Sequence, residues 1–405
     1  MQNILEKSRQ LYLGLLNRAL PKYERHLLSA LLQSQSKIIG IYGARGVGKT
    51  TLMLQWLKHQ NIPLSQSLYL SCDHPILAGV SLFDLAQTFV QHGGKVLILD
   101  EVHDAPGFEQ ALKSIYDFLD VKVVFSGSSA ISLSHPDLSR RYAMLALPQL
   151  SVREFIEIKT QTKMPKFSLA ELLSNSVDAS FAVSQALAES DLKILPLFQD
   201  YLKHGGYPFY FDDPASFPQR LSDMINLVIQ IELAQLFAIK SDKIDLLKKL
   251  LVVICRSTPL ELSIEKLTTN VELSKPTLYK FLDYLQKGEL VRQVPHELKK
   301  YQNLRRPDKL YLFHPNLLQV LCLNPDLGTL RETFFASQLA AAGHEVEFAQ
   351  QGDFCINDQF VFEVGGKSKD FRQLKGVEKP GFIAADDIEV GSERKIPLWL
   401  FGFLY

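Results

Sequence analysis

Apolar residues recur along this chain with two different periods. Short unbroken runs at residues 37–42 (KIIGIY), 95–101 (KVLILDE) and 122–125 (KVVF) suit strands buried on both faces. The stretch TLMLQWLKH at 51–59 instead has helical spacing, with Leu52, Trp56 and Leu57 on one side. Strand runs alternating with helical runs predict an α/β fold with a parallel sheet. Residues 156–238 read as mostly helical, with a Ser/Ala-rich part at 168–190. A short helix is expected at 263–267. A second follows Ser274 as N-cap, with Pro276 in its first turn and a stripe of Leu278, Phe281, Leu282 and Leu285. Strands are expected at 289–294 and 310–313. Past Gly328 come a helix, a β-rich stretch and a strand at 360–364.

The length of 405 residues corresponds to two to four domains, and 46% hydrophobic with 22% charged residues allows each a core. Lys plus Arg and Asp plus Glu are 44 each, which excludes a chain-wide polycation but not a local basic patch. The four cysteines, Cys72, Cys255, Cys322 and Cys355, form no CxxC pair and no disulfide framework. The N-terminus lacks a signal-peptide pattern, and no apolar run approaches the roughly 20 residues of a membrane span. A cytoplasmic location with no membrane partner is the expectation.

Residues 43–50 read GARGVGKT between the first strand and the first helix of the core. This is the setting that a phosphate-binding loop requires. Glycines let successive backbone N–H groups face phosphate oxygens, and the helix N-terminus adds more. Gly43, Ala44, Arg45, Gly46, Val47, Gly48, Lys49, Thr50 and Thr51 are the nucleotide-binding candidates. Lys49 is expected to reach the β- and γ-phosphates, and Thr50 to place its hydroxyl on Mg²⁺. The apolar run 95–101 ends in two acids: Asp100 is the second metal candidate, and Glu101 the group that polarises a water. Hydroxyls after the third run, and Arg140 or Arg141 further on, could meet the γ-phosphate and its developing charge. ATP or ADP with Mg²⁺ is the expected ligand.

Several segments together resemble the AAA-type ATPases of bacteria and archaea that carry an uncharacterised C-terminal half. They are GARGVGKTTL (43–52), LYLSCD (68–73), GGKVLILDEVH (93–103), LKSIYD (112–117), FSGSSA (125–130), SRRY (139–142) and LPQLSVREF (147–155). The resemblance implies that Ser128 is a γ-phosphate sensor, and that the family's arginine is Arg140 or Arg141. It also implies that Gly206 and Pro208, in YLKHGGYPFYF (201–211), form a lid turn packing against nucleotide. Its domains map to N-terminal helices (1–35), a P-loop core (36–155), a helical lid (156–238), a winged helix (239–318) and a small α/β nuclease-like domain (319–405).

The order helix, helix, strand, basic loop, strand is itself that of a winged helix-turn-helix. Residues 240–316 hold 15 Lys and Arg against 9 Asp and Glu. Lys275 and Lys280, with Thr277, would face a DNA groove. Lys299, Lys300, Arg305 and Arg306 would touch phosphates. A protein partner is the other reading of the same module. At the C-terminus, Glu332, Asp353 and Glu363 resemble the acids of PD-(D/E)xK nucleases, a possible second metal site. Gly365 stands where those nucleases have lysine, so Lys367 is the candidate to swing back, across a Gly365–Gly366 bulge. The functional expectation is an ATP-hydrolysing switch coupled to DNA or a partner protein. An ATP-gated nuclease and a nucleotide-holding module with negligible turnover are the alternatives.

Overall fold

The computed structural model describes residues 1–128, 140–256, 264–297 and 309–405. The chain divides into two compact units, Met1–Pro148 and Gln149–Tyr405.

The first unit is built on five strands: β1 (Ile38–Gly43), β2 (Ser67–Ser71), β3 (Val96–Asp100), β4 (Lys122–Ser128) and β5 (Tyr142–Ala146). Their order in the sheet is β2-β3-β4-β1-β5, and every neighbouring pair is parallel. All five residues of β3 are buried, which is why its sequence is a continuous apolar run rather than an alternating one. Among the described residues the unit also carries α1 (Gln2–Leu16), α2 (Leu27–Gln33), α3 (Lys49–His59), α4 (Leu82–Gln91) and α5 (Phe108–Phe118). The third strand is longer than its apolar run: β4 continues through Ser126 to Ser128, because the Ser126 hydroxyl finds a buried partner.

The second unit begins with the helices Val152–Thr160, Leu169–Ser174, Ser176–Leu187, Ile194–His204 and Phe217–Leu227. Ser151 with Glu154, and Ser168 with Glu171, form capping boxes that start the first two. Helices Ser241–Arg256, Ile264–Val271 and Lys275–Lys287 follow, then an antiparallel pair, β6 (Val291–Val294) and β7 (Lys309–Leu312). Ser274 caps the third of these helices through the Thr277 amide, and Leu278, Phe281, Leu282 and Leu285 are its buried stripe. Helices Pro315–Leu321 and Leu327–Ala341 precede a second sheet. Its strands are β8 (Val346–Phe348), β9 (Phe354–Ile356), β10 (Phe360–Gly365), β11 (Gly381–Ala385) and β12 (Lys395–Pro397), ordered β12-β11-β10-β9-β8. Lys299, Lys300, Arg305 and Arg306, the expected phosphate contacts of the hairpin, lie outside the described residues.

A buried polar hub ties this unit together. The Asn316 amide donates to the carbonyls of Tyr201 (3.1 Å) and Leu202 (3.0 Å) and accepts from the Gly206 N–H (2.7 Å). The Tyr201 hydroxyl donates to the Leu150 carbonyl (2.7 Å) and meets His314 Nε2 and Gln338 Nε2, each at 3.0 Å. Since that hydroxyl has one proton and spends it on Leu150, His314 must donate from Nε2. Its Nδ1 then accepts from the Asn316 N–H at 3.2 Å. The Gly206 turn has no room for a side chain: a Cβ there would sit 2.3 Å from the His314 ring.

Two expectations about cysteine and membranes meet the structure here. Cys255 and Cys322 are joined in a disulfide, their Cα atoms 5.7 Å apart across 67 residues of sequence, a single link rather than a framework. Only the fold brings them together, so local spacing gave no sign of it. Cys72 and Cys355 are free and buried. Among the described residues no helix is long and apolar enough to cross a membrane.

Burial, with the nearby Arg292 charge adding to it, pushes the His314 imidazole down to about 3. The unfolded chain therefore binds this proton first, near pH 6.5, and stability falls as pH drops below that value. One such group contributes a slope of about 1.4 kcal/mol per pH unit. The urea midpoint of the second unit is expected to fall between pH 7 and pH 5. The fall should be shallower in His314→Asn, which keeps a helix-capping side chain but cannot titrate; equal slopes would refute the assignment.

Candidate functional site

The end of β1 turns directly into the glycine loop. Gly46 (φ 81°) and Gly48 (φ 97°) adopt left-handed backbone that residues with a Cβ rarely take. At Gly43 a Cβ would lie 2.2 Å from the Leu147 carbonyl oxygen. These three positions need glycine for separate steric reasons. The loop delivers its backbone to α3, whose N-cap is Gly48; no side chain caps that end and no acid sits in its first turn. The leading amides of α3 are thus unclaimed by side chains, the arrangement that suits a phosphate.

Lys49 is buried, and its ammonium donates to the Gly43 (2.9 Å) and Ala44 (3.1 Å) carbonyls, spanning the loop from within. Thr50 Oγ1 donates to Asp100 Oδ2 at 2.6 Å. The structure therefore brings together Lys49, Thr50 and Asp100, as the spacing implied. Two hard oxygen donors side by side at the mouth of a phosphate loop fit Mg²⁺. Glu101 follows with φ 49°, a left-handed conformation that turns the chain out of the sheet. Its carboxylate lies 3.6 Å from His103 Nδ1.

Other expected residues are placed differently. Ser128 is buried at the end of β4, level with Gly43 in the strand register. It is Ser126, two residues earlier, that donates to Asp100 Oδ1 and accepts from the Glu101 N–H at 3.1 Å. Arg140 and Arg141 precede β5, whose first residue Tyr142 pairs with Ile38 at the start of β1. They stand by the opposite end of the strands from the loop, about 20 Å of strand away. Arg141 meets Asp117 (3.3 Å) and the Tyr116 ring. Pro208 opens a short 3-10 turn, Pro208–Tyr210, beside the hub of the second unit. Lys275 is exposed and paired with Glu265 at 2.9 Å, and Lys280 is exposed on the same helix.

Sequence reasoning missed two supports. Arg25 is buried and its guanidinium donates to the carbonyls of Val47 and Pro148, both at 2.8 Å, bracing the loop from the segment before α2. Tyr69 on β2 donates to Asp100 Oδ2 at 2.6 Å. Arg25 lies in no motif, and Tyr69 lies in the LYLSCD segment without an assigned role; the placement of the backbone reveals both contacts.

In the second unit, Glu332, Asp353 and Glu363 do converge. Tyr311 donates to Glu332 (2.5 Å), and Lys309 lies 3.8 Å from Glu332 and 4.0 Å from Asp353. Asp353 accepts from the Val364 N–H at 2.8 Å. The lysine at this cluster is not Lys367, which is exposed and paired with Asp387 (3.3 Å). Lys369 reaches back to Glu363 instead, since two further residues complete the turn after Gly365–Gly366. Glu363 is buried with Oε2 lacking a hydrogen-bond partner. Its carboxyl is raised above the usual range, by burial first and by Asp353 second, with Lys369 opposing. An orphaned buried oxygen suits a cation, yet two ammonium groups already share these acids. Among the described residues, the ligand-type side chains gathered within 4.8 Å of one another are Glu347, Cys355 and Asp358. There too a lysine is present, with Lys379 at 2.8 Å from Asp358 and 3.3 Å from Cys355.

Comparison with known proteins agrees with this geometry. Residues 35–156 match the family described as AAA domain, and residues 195–327 match a domain of unknown function, DUF8612. An uncharacterized protein of Methanocaldococcus jannaschii, MJ1637, is 26% identical over 411 residues, covering 91% of this chain and 85% of its own. Among solved structures, the Walker-type ATPase PABY2304 of Pyrococcus abyssi aligns at 13% identity and TM-score 0.40, over 76% of this chain and 99% of that one. A RuvB variant of Thermotoga maritima aligns at 17% identity and TM-score 0.31, over 69% and 93%. Residues 35–156 are thus similar to an AAA domain, and the first unit has an α/β fold with a five-stranded parallel sheet.

The brace on the loop gives a direct test. Arg25→Ala removes a buried charged donor from two carbonyls, a loss of about 1.5–3 kcal/mol per such bond. The variant should melt earlier and show a smaller nucleotide-induced rise in melting temperature than the wild type. An unchanged rise would separate Arg25 from the nucleotide site.

Proposed function

We propose that this protein is a Mg²⁺-dependent ATP hydrolase that works as a switch. The observation that carries this is the pairing of Thr50 with Asp100 beside the glycine loop, with Glu101 turned out immediately after. In this reading the loop amides and Lys49 hold the β- and γ-phosphates. Thr50 and Asp100 hold Mg²⁺, which neutralises charge on the transferred phosphoryl group. Glu101 orients water and accepts its proton. Ser128 is the γ-phosphate sensor. Arg140 and Arg141, 20 Å or so of strand from the loop of their own chain, would act only on the nucleotide of a neighbouring copy.

The output of the switch is DNA binding through residues 239–318, taken as a winged helix. Three helices followed by an antiparallel pair support it, as does the excess of Lys and Arg in 240–316. Lys275 and Lys280 would contact the duplex, with Lys299, Lys300, Arg305 and Arg306 on its phosphates. The Gly206–Pro208 turn would report nucleotide occupancy to this module.

The test is steady-state ATP hydrolysis with and without duplex DNA, at low and at moderate salt. Stimulation that fades with salt is expected, because contacts to phosphate release counterions. Indifference to DNA at both salts would transfer the coupling to a protein partner. Glu101→Gln should keep ATP binding and lower turnover by about 10²–10⁴-fold, the range for a lost general base. Unchanged turnover would favour a module that holds nucleotide structurally.

A second reading, a metal-dependent nuclease in the last domain, is favoured by Lys369 reaching Glu363 next to Asp353 and Glu332. It expects Mg²⁺-dependent nicking of DNA that Glu363→Ala abolishes. Absence of nicking by the wild-type protein with ATP and either Mg²⁺ or Mn²⁺ would dismiss it.

A further inference from the structure

The carboxylate of Asp100 is held from three sides, and one of the holders, Tyr69, had no role assigned from the sequence. Thr50 and Tyr69 both donate to Oδ2, each at 2.6 Å, while Ser126 donates to Oδ1. Asp100 ends β3; Tyr69 is on β2 and Ser126 on β4, the two strands that flank it. The group is thus gripped from both neighbouring strands. All three of Tyr69, Asp100 and Ser126 are buried, so no solvent competes for these bonds.

From this geometry we infer that Tyr69 is a positioning residue for the metal: its hydroxyl fixes Asp100 in the orientation in which that carboxylate serves Mg²⁺. The inference rests on the ATP-binding reading of the glycine loop and adds a residue to it. Of the three donors, Thr50 is itself a metal candidate, so its hydroxyl oxygen is wanted elsewhere once a cation arrives. Tyr69 has no such second duty. It then remains the sole named side chain holding Oδ2, while Ser126 keeps Oδ1.

The length of the side chain is part of the argument. Tyr69 pairs in register with Ile98, two residues before Asp100, and Ser71 is the residue level with Asp100. Only a long, rigid side chain reaches forward across that distance with a donor at its tip, whereas the Ser71 hydroxyl is already turned to Asp73. The phenol hydroxyl donates and the carboxylate oxygen accepts. The ring stacks on Tyr12 of α1, with centroids 6.5 Å apart, and borders a cavity of about 390 Å³ between α1 and β2. The ring packing therefore belongs to the α1 side, and the hydroxyl to the metal side. Tyr69→Phe removes the second and keeps the first.

The experiment titrates Mg²⁺ into full-length protein with a fluorescent ATP analogue and reads binding, not turnover. Metal-free analogue affinity and melting temperature in Tyr69→Phe should match the wild type within about twofold and a few degrees. The Mg²⁺ concentration for half-maximal tightening should rise about tenfold, the lower end of what loss of an outer-shell partner costs in metal affinity. Ser126→Ala should shift it in the same direction. In turnover, the loss should likewise be relieved at high Mg²⁺. An unchanged Mg²⁺ midpoint in Tyr69→Phe overturns the inference. Equal weakening with and without Mg²⁺, or a collapse in melting temperature, also overturns it, by making Tyr69 a packing residue. If the wild type itself binds no analogue at any Mg²⁺ concentration, the ATP reading fails and the inference falls with it, a result distinct from the other two.

Discussion

The chemistry of the first unit depends on the register of three parallel strands at their C-terminal ends. Gly43 of β1 faces Ser128 of β4, and Leu99 of β3 faces Phe125 of β4, so Asp100 comes beside Ser126. That register puts the glycine loop, Asp100 and the hydroxyls that hold it at the C-terminal ends of the strands. Side chains alternate between faces along a strand, so a slip of one residue would turn Ser126 away from Asp100. The apolar runs bury β1, β3 and β4 in the core, and the backbone ladders between them hold this register. The precision of the polar site is thus a product of the hydrophobic core beneath it.

Much of this was legible in the sequence, and for a consistent reason. The glycine loop, the strand runs, the Ser274 cap and the Leu278–Leu285 stripe are local patterns. Each is set by neighbours within a few positions. What escaped was what register and long-range contact decide. Tyr69 meets Asp100 because β2 lies next to β3. Arg25 meets Val47 because the segment before α2 runs under the loop. Spacing alone favoured Lys367, but the turn after Gly365 carries Lys369 to Glu363. The contact of Ser126 with Asp100 was likewise invisible until the register of β3 and β4 was known.

The second unit solves a different problem. Burying Tyr201, His314, Asn316 and Gln338 costs desolvation, and the cost is offset only if each polar atom is answered. The Asn316 amide satisfies three backbone groups and the Tyr201 hydroxyl meets three partners, which leaves the network nearly saturated. Such a network fixes one arrangement of helices in a way that apolar packing alone does not.

That hub also bears on how the chain can be divided. Its members come from residues 150, 201–206, 314–316 and 338, which lie in four of the five modules that the resemblance suggests for the chain. A fragment cut at 238 or at 318 would leave Asn316 or Tyr201 with buried polar atoms and no partner. The modules of the second half are therefore segments of one cooperative body rather than interchangeable parts. A boundary for dissecting or recombining this protein belongs near residue 148, where the compact units part.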